Sequence, residues 1–158
     1  MAEPAGRLLQ IILQGATLHR ISALQEADRE QAVRDLQTEN AFYPVGHAGL
    51  QSVLHLSVQD GRLIFDIRDT QGVPVVAVGL ALGPFKMLIK DYQMLLDSYA
   101  GAVAEGREAK IQAIDMGRRG LHNEGAALMM QRLESKVVID FATARRLFTL
   151  VCALHQKL

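Results

Sequence analysis

The tight turn at Asp60-Gly61 constrains the fold of this chain more than any other feature. An Asp-Gly pair between two alternating apolar segments is the strongest local signal for a two-residue β-hairpin with a primed turn. Such a turn fixes the register of the two strands. The predicted core-facing pairs are Val58 with Leu63, Leu56 with Phe65, and Leu54 with Ile67. The predicted pairs on the other face are His55 with Asp66, and Val53 with Arg68.

Two further segments extend this hairpin into a sheet. Residues 73–82 follow a second turn and are almost all apolar, which predicts a third strand that is central or covered on both faces. Residues 7–18 are rich in Leu and Ile and predict a strand against the same sheet. Residues 40–49 contain Pro44, Gly46 and Gly49, a composition typical of a loop.

The remaining segments predict helices. Residues 24–39 carry a mostly charged surface, and residues 85–99 show apolar side chains at helical spacing. A long helix is predicted over about 107–135, then a short strand at 136–139. The last helix, residues 141–155, is preceded by Asp140 as an N-cap and is apolar nearly all round, so we expect it to be buried in this chain or in a partner. The prediction is a single α+β domain over residues 1–158, with a small antiparallel sheet, a three-strand meander plus the N-terminal strand, packed against the C-terminal helices.

A polar cluster interrupts the long helix. Residues three and four apart are neighbours on a helix, so one face is predicted to hold Asp115, Arg118, Arg119 and His122, with Asn123 and Glu124 close by. Three glycines punctuate the same stretch at positions 117, 120 and 125, and each costs about 1 kcal/mol relative to alanine. We therefore expect a compensating close approach of another backbone or a ligand, or a helix break near Gly120.

Two interpretations of this cluster are open. In the structural one, Asp115 pairs with Arg119, Arg118 caps carbonyl groups and His122 is a satisfied core residue. In the functional one, the arginines and a protonated His122 bind a phosphate or carboxylate. There His122 is a donor or a general acid/base, Asp115 and Glu124 orient it and the arginines, and Asn123 is a polar contact.

Secondary candidates lie elsewhere in the chain. Asp66 either orients the ring of His55 across the hairpin or forms an ordinary surface pair with it. Arg145 and Arg146 interrupt the apolar last helix, and one of them is predicted to face Asp115 or Glu124.

Composition narrows the classes of function. The chain has 17 basic residues, Lys and Arg together, and 17 acidic residues, Asp and Glu together. This balance of charge argues against nucleic-acid or membrane-surface binding and favours self-association. The single cysteine, Cys152, is expected to be a small buried hydrophobe and fits a reducing cytoplasm. No signal peptide or membrane-length apolar run is visible. The five histidines lack metal-ligand spacing, and no phosphate loop or nucleophile elbow occurs, so we expect no metal and no cofactor and assign no catalytic residue.

Two segments carry a family resemblance. Residues 114–125, IDMGRRGLHNEG, and 143–152, TARRLFTLVC, resemble a family of bacterial proteins catalogued as uncharacterised (UPF class, family 0262). Residues 62–68, Pro84-Phe85 and residues 90–92 fit the same pattern, and the resemblance runs from about Ala32 onward. It implies no activity, substrate or cofactor.

Two hypotheses of function follow from these observations. The first is a cytoplasmic, non-catalytic interaction or structural module that forms a homo-oligomer or binds a protein partner. The alternative is a protein that binds a small anion or nucleotide, or a phosphate-handling enzyme, using the Arg/His cluster of the long helix.

Overall fold

The computed structural model describes residues 6–14 and 23–154, which form a mixed four-stranded sheet, a two-stranded sheet and four α-helices. The strands are β1 (Arg7–Gln14), β2 (Phe42–Pro44), β3 (Gln51–Gln59), β4 (Arg62–Asp69), β5 (Pro74–Ala81) and β6 (Val137–Ile139). The helices are α1 (Ala23–Thr38), α2 (Lys86–Ala104), α3 (Glu108–Leu133) and α4 (Phe141–Leu154), and a 3-10 turn at Gly83–Phe85 leads into α2. The predicted α+β class is confirmed.

The β3–β4 hairpin has the predicted turn and register. Asp60 and Gly61 both have positive φ, 52° and 72°, as a primed turn with two left-handed central residues requires. All five predicted residue pairs stand opposite one another. Five of the six side chains predicted on the core face are fully buried, and the sixth, Val58, is partly buried. The five are Leu54, Leu56, Leu63, Phe65 and Ile67.

The first strand enters the sheet in a direction that the sequence did not predict. The strand order is β1-β3-β4-β5, and β1 runs parallel to β3, so the sheet is mixed rather than antiparallel throughout. A parallel pair needs a crossover connection, and α1 lies in the connection between the two strands. Residues 15–18 of the predicted strand lie outside the described residues.

The apolar strand β5 lies at the edge of the sheet, so the predicted central position is wrong. Only Val78 and Leu80 of this strand are buried, and the predicted double cover is therefore also wrong. Pro74 opens the strand and has no backbone N–H, a residue that sheets accept at edges. The segment predicted as a loop contains β2, which pairs antiparallel with β6.

The long helix α3 is unbroken, so the predicted break near Gly120 is wrong. A Cβ at Gly125 would lie 2.3 Å from Cγ of Phe148 on α4, which means that α3 and α4 approach more closely there than any side chain on residue 125 would allow. An aromatic ring, and neither backbone nor ligand, occupies the space that this glycine leaves. A Cβ at Gly117 would lie 3.2 Å from Leu95, and one at Gly120 would meet nothing within 4 Å.

The last helix is buried within this chain. Oδ1 of Asp140 accepts a hydrogen bond of 2.8 Å from the backbone N–H of Thr143, which confirms the predicted N-cap. Residues 147–154 are all buried, and α4 packs against α1 and α3. Cys152 is buried among them, and burial raises the pKa of its thiol. Residue 155 of the predicted helix lies outside the described residues, and none of the described helices has the length and apolar character to cross a membrane.

Candidate functional site

The polar residues of α3 do not converge on one point. Arg118 contacts α1 and also pairs with Asp115, His122 lies between α2 and α4, and Asn123 contacts α4. Arg119 and Glu124 are exposed, and their side chains form no hydrogen bond or ion pair with any residue in the described part of the chain. The predicted shared face therefore divides into three separate environments.

Arg118 is compensated within the protein. Its Nη1 lies 3.2 Å from Oδ2 of Asp28 on α1, and its Nη2 lies 3.4 Å from Oδ1 of Asp115. The hydroxyl of Tyr92 donates a hydrogen bond to the same Asp28 oxygen, and burial, reinforced by Asp28, raises the pKa of Tyr92 so that it stays a donor. The predictions that Asp115 pairs with Arg119 and that Arg118 caps carbonyl groups are therefore wrong.

His122 is neutral at neutral pH. Its ring centroid lies 5.2 Å from that of Tyr92 and 6.4 Å from that of Phe148. Burial lowers the pKa of His122 to about 4, and the nearby positive charges of Arg145 and Arg118 add to this effect. This lowered pKa favours a neutral imidazole at pH 7, with one donor and one acceptor, over the protonated ring of the functional interpretation.

The hydrogen bonds of Thr149 indicate which nitrogen of His122 carries the proton. The Thr149 hydroxyl donates to the carbonyl oxygen of Arg145 at 3.1 Å. A hydroxyl has one proton, so its oxygen is left to accept from Nε2 of His122, which lies 3.4 Å away. This assignment leaves Nδ1 of His122 as the acceptor.

A cleft of about 210 Å³ opens where α1, α3 and α4 meet. Helix α1 contributes its polar side, α3 contributes His122, and α4 contributes two arginines and a threonine. The residues that line this α1–α3–α4 cleft are Asp28, Gln31, Ala32, Asp35, His122, Arg145, Arg146 and Thr149.

Two arginines of α4 are oriented in this cleft without being neutralised. Nε of Arg145 donates to Oδ1 of Asn123 at 3.0 Å, and Nη1 of Arg146 donates to the carbonyl oxygen of Glu39 at 2.9 Å. Neither guanidinium forms an ion pair with a carboxylate among the described residues. The predicted approach of one of them to Asp115 or Glu124 is therefore wrong.

The acidic side of the cleft belongs to α1. Nε2 of Gln31 donates to Oδ1 of Asp35 at 2.8 Å, and Oε1 of Gln31 accepts from Arg34 at 2.9 Å. Asp35 has no cationic partner in the described ranges, whereas Asp28 has Arg118. Asp28, Gln31 and Asp35 are spaced at i, i+3 and i+7, the pattern of one helix face. This spacing was available in the sequence, but the charges of α1 predicted only an outer surface.

The secondary pair in the hairpin is separate from this cleft. His55 stands opposite Asp66 as predicted, but Asp66 pairs with Arg68 at 2.8 Å, and Nδ1 of His55 lies 3.2 Å from Nε2 of Gln14. Asp66 therefore does not orient the His55 ring. Both side chains lie on the sheet face opposite the buried leucines. In the part of the chain that the structure describes, no three His, Cys, Asp or Glu side chains are grouped to hold a metal ion.

Comparisons with known proteins give one consistent result. The model of a family described as "Uncharacterised protein family (UPF0262)" matches residues 5–157, which include β1 as well as the segments of the sequence resemblance. A UPF0262 protein of Acidiphilium cryptum (strain JF-5) is 60% identical over 156 residues, covering 99% of this chain and 96% of the relative. One of Granulibacter bethesdensis is 60% identical over 161 residues, covering 96% and 91%. One of Azorhizobium caulinodans is 47% identical over 156 residues, covering 98% and 96%. No solved structure matches the chain.

Proposed function

The chain belongs to the UPF0262 family, and we propose that it binds a small anion, a carboxylate or a phosphate, in the α1–α3–α4 cleft. The observation that carries this proposal is the pair of guanidiniums, Arg145 and Arg146, that line the cleft without a carboxylate partner among the described residues. Arginine presents a planar set of N–H donors that matches the oxygens of carboxylates and phosphates.

The two guanidiniums are arranged before any ligand arrives. Arg145 is fixed through Nε by Asn123, which leaves both terminal nitrogens for a ligand. Arg146 is fixed through one terminal nitrogen by the Glu39 carbonyl group, which leaves its other N–H groups. Because the hydrogen bonds already restrict both side chains, less conformational entropy is lost when an anion binds.

The charges around the cleft favour an anion on the α4 side. Asp28 lines the cleft together with His122, and Arg118 and the Tyr92 hydroxyl both compensate its charge. Neutral His122 and the Thr149 hydroxyl line the cleft without adding charge. Binding on this side therefore depends on Arg145 and Arg146 rather than on Arg118 and Arg119, the arginines of the sequence hypothesis.

The proposal predicts a thermal stabilisation that depends on α4. We expect inorganic phosphate or citrate to raise the melting temperature in a saturable way, since free ligand at 100 times Kd adds about 2.7 kcal/mol. In the double variant Arg145→Gln/Arg146→Gln, the affinity falls at least tenfold, because a hydrogen bond to a charged group contributes about 1.5–3 kcal/mol. Differential scanning fluorimetry measures the rise in melting temperature with ligand concentration for the wild type and for the double variant.

Arg119→Gln is the control, because Arg119 is an exposed arginine of α3 that does not line the cleft. Its response to phosphate and citrate is expected to equal that of the wild type. If Arg119→Gln and the double variant lose their thermal response to the anions equally, the effect is one of general charge, and binding in the cleft is contradicted. A wild type that responds to neither probe would contradict the proposal outright.

A second function, self-association, is favoured by an apolar groove beside β6. The groove measures about 440 Å³, and it is lined by Met130, Gln131, Glu134, Ser135, Val137, Val138 and Ile139. The side chains of Val138, Phe141 and Val45 are 41%, 46% and 51% exposed nearby. Only one edge of β6 is paired within the described residues, by β2. We propose that a second copy pairs its own β6 antiparallel with this edge, because a two-fold axis makes such a contact self-complementary.

Self-association is tested by sedimentation of Val138→Lys. A buried, uncompensated ammonium at the centre of the interface is expected to convert the wild-type dimer to a monomer. Met116→Lys is the control, because Met116 is an exposed apolar residue on α3 that does not line the groove, and this variant stays dimeric. A wild type that sediments as a monomer at all accessible concentrations would contradict the proposal.

A further inference from the structure

The α1–α3–α4 cleft has walls of opposite charge. Arg145 and Arg146 project from α4, and Asp28 and Asp35 project from α1 on the other side. A site for a simple anion gains nothing from carboxylates on its far wall, because they repel the ligand. The acidic wall therefore indicates that the ligand has a second feature in addition to its anionic group.

The two carboxylates of α1 are not equivalent. Asp28 is compensated by Arg118 at 3.2 Å and by the Tyr92 hydroxyl, and these contacts hold it within the protein. Asp35 is half-buried, and it accepts one hydrogen bond from the neutral amide of Gln31. No Lys, Arg or His side chain of the described residues lies within ion-pair distance of it. Asp35 thus resembles Arg145 and Arg146, as a charged group on the cleft wall that has no ion-pair partner among the described residues.

The size of the cleft limits the ligand. The volume of the cleft is about 210 Å³. That space accommodates a metabolite of amino-acid size, and it leaves most of a nucleotide outside. Both charged walls line this one cleft, so one small molecule can contact both.

We propose that the ligand is a small bipolar molecule, with an anionic group bound by Arg145 and Arg146 and an ammonium group bound by Asp35. The class includes amino carboxylates and amino phosphates. This inference rests on the proposed anion binding and adds the cationic end of the ligand. An ammonium group has three N–H donors, and a carboxylate with one hydrogen bond retains acceptor positions for them.

The test compares ligands that differ in one ammonium group. Glutamate is matched with glutarate, and phosphoethanolamine with 2-hydroxyethyl phosphate, so the two pairs distinguish a carboxylate from a phosphate as the anionic end. Isothermal titration calorimetry of the full chain is expected to show at least tenfold tighter binding of the ammonium-bearing member in one pair. Equal affinities within both pairs would overturn the inference while leaving anion binding intact.

Two variants locate the ammonium contact. Asp35→Asn keeps a side chain of the same shape and is expected to bring the ratio of affinities within the pair to about one. Asp91→Asn, an exposed carboxylate of α2 outside the cleft, is the control and leaves the ratio at its wild-type value. A ratio that survives Asp35→Asn, with a melting temperature showing that the variant is folded, would overturn the inference. Absence of binding by all four compounds would overturn the proposed function together with it.

Discussion

Replacing Gly125 with alanine is expected to lower the free energy of unfolding by about 3 kcal/mol, at the upper end of the cost of overpacking a core. The added Cβ would lie 2.3 Å from Cγ and 2.4 Å from both Cδ atoms of Phe148. Phe148 is fully buried in α4 and cannot rotate into solvent, so α3 and α4 must separate. The gain of about 1 kcal/mol in helix propensity offsets only part of this cost.

Gly120→Ala is the matched control, in the same helix and with the same chemical change. A Cβ there meets nothing within 4 Å, so the variant is expected to be more stable than the wild type by up to about 1 kcal/mol. Urea unfolding followed by circular dichroism measures both changes. If both variants change the free energy of unfolding in the same direction, the close approach of α3 and α4 at Gly125 is contradicted.

Acidification is expected to remove about 3 kcal/mol of stability through His122 between pH 7 and pH 4. The folded ring has a pKa lowered to about 4 by burial, with Arg145 and Arg118 adding to it, whereas an unfolded histidine titrates near 6.5. Between these values the unfolded chain binds a proton that the folded chain does not, so stability is present above the unfolded pKa and is lost as pH falls towards 4.

The contribution of His122 to the pH dependence of stability is obtained by comparing the wild type with a variant, because carboxylates also titrate as the pH falls. The free energy of unfolding is measured from pH 7 to pH 4 for the wild type and for His122→Gln, and the wild type is expected to lose more by about 3 kcal/mol. His47→Gln, the same substitution at an exposed histidine outside α3, is the control for the substitution itself. Parallel curves for wild type and His122→Gln would contradict the burial of this ring.

Local patterns were enough to predict much of the fold. The Asp60-Gly61 turn and the alternation around it determine the hairpin and its register, and the Asp140 cap determines where the last helix begins. The arrangement of segments distant in sequence was not accessible in the same way. An apolar segment such as β5 has the same sequence pattern at the edge of a sheet as at its centre. The parallel direction of β1 depends on a crossover through α1.

Some of the residues that line the cleft are recognisable in the sequence. His122, Arg145 and Arg146 are polar residues that interrupt apolar helical patterns, and all three line the cleft. Asp28 and Asp35, the carboxylates of α1 that line the same cleft, lie about ninety to a hundred and twenty residues earlier in the chain. They belong to a helix with the pattern of an ordinary charged surface. The role of Arg118 also depends on tertiary packing, because Asp28 of α1 neutralises its charge.

The most direct test of the cleft is the NMR spectrum of the arginine side chains as inorganic phosphate is added. The Nε–H signals of Arg145 and Arg146, assigned by single Arg→Lys replacement, are expected to shift and saturate together, while that of Arg119 stays in place. If the Arg119 signal moves as far as theirs, or if no arginine signal saturates, anion binding at the junction of α1, α3 and α4 is contradicted.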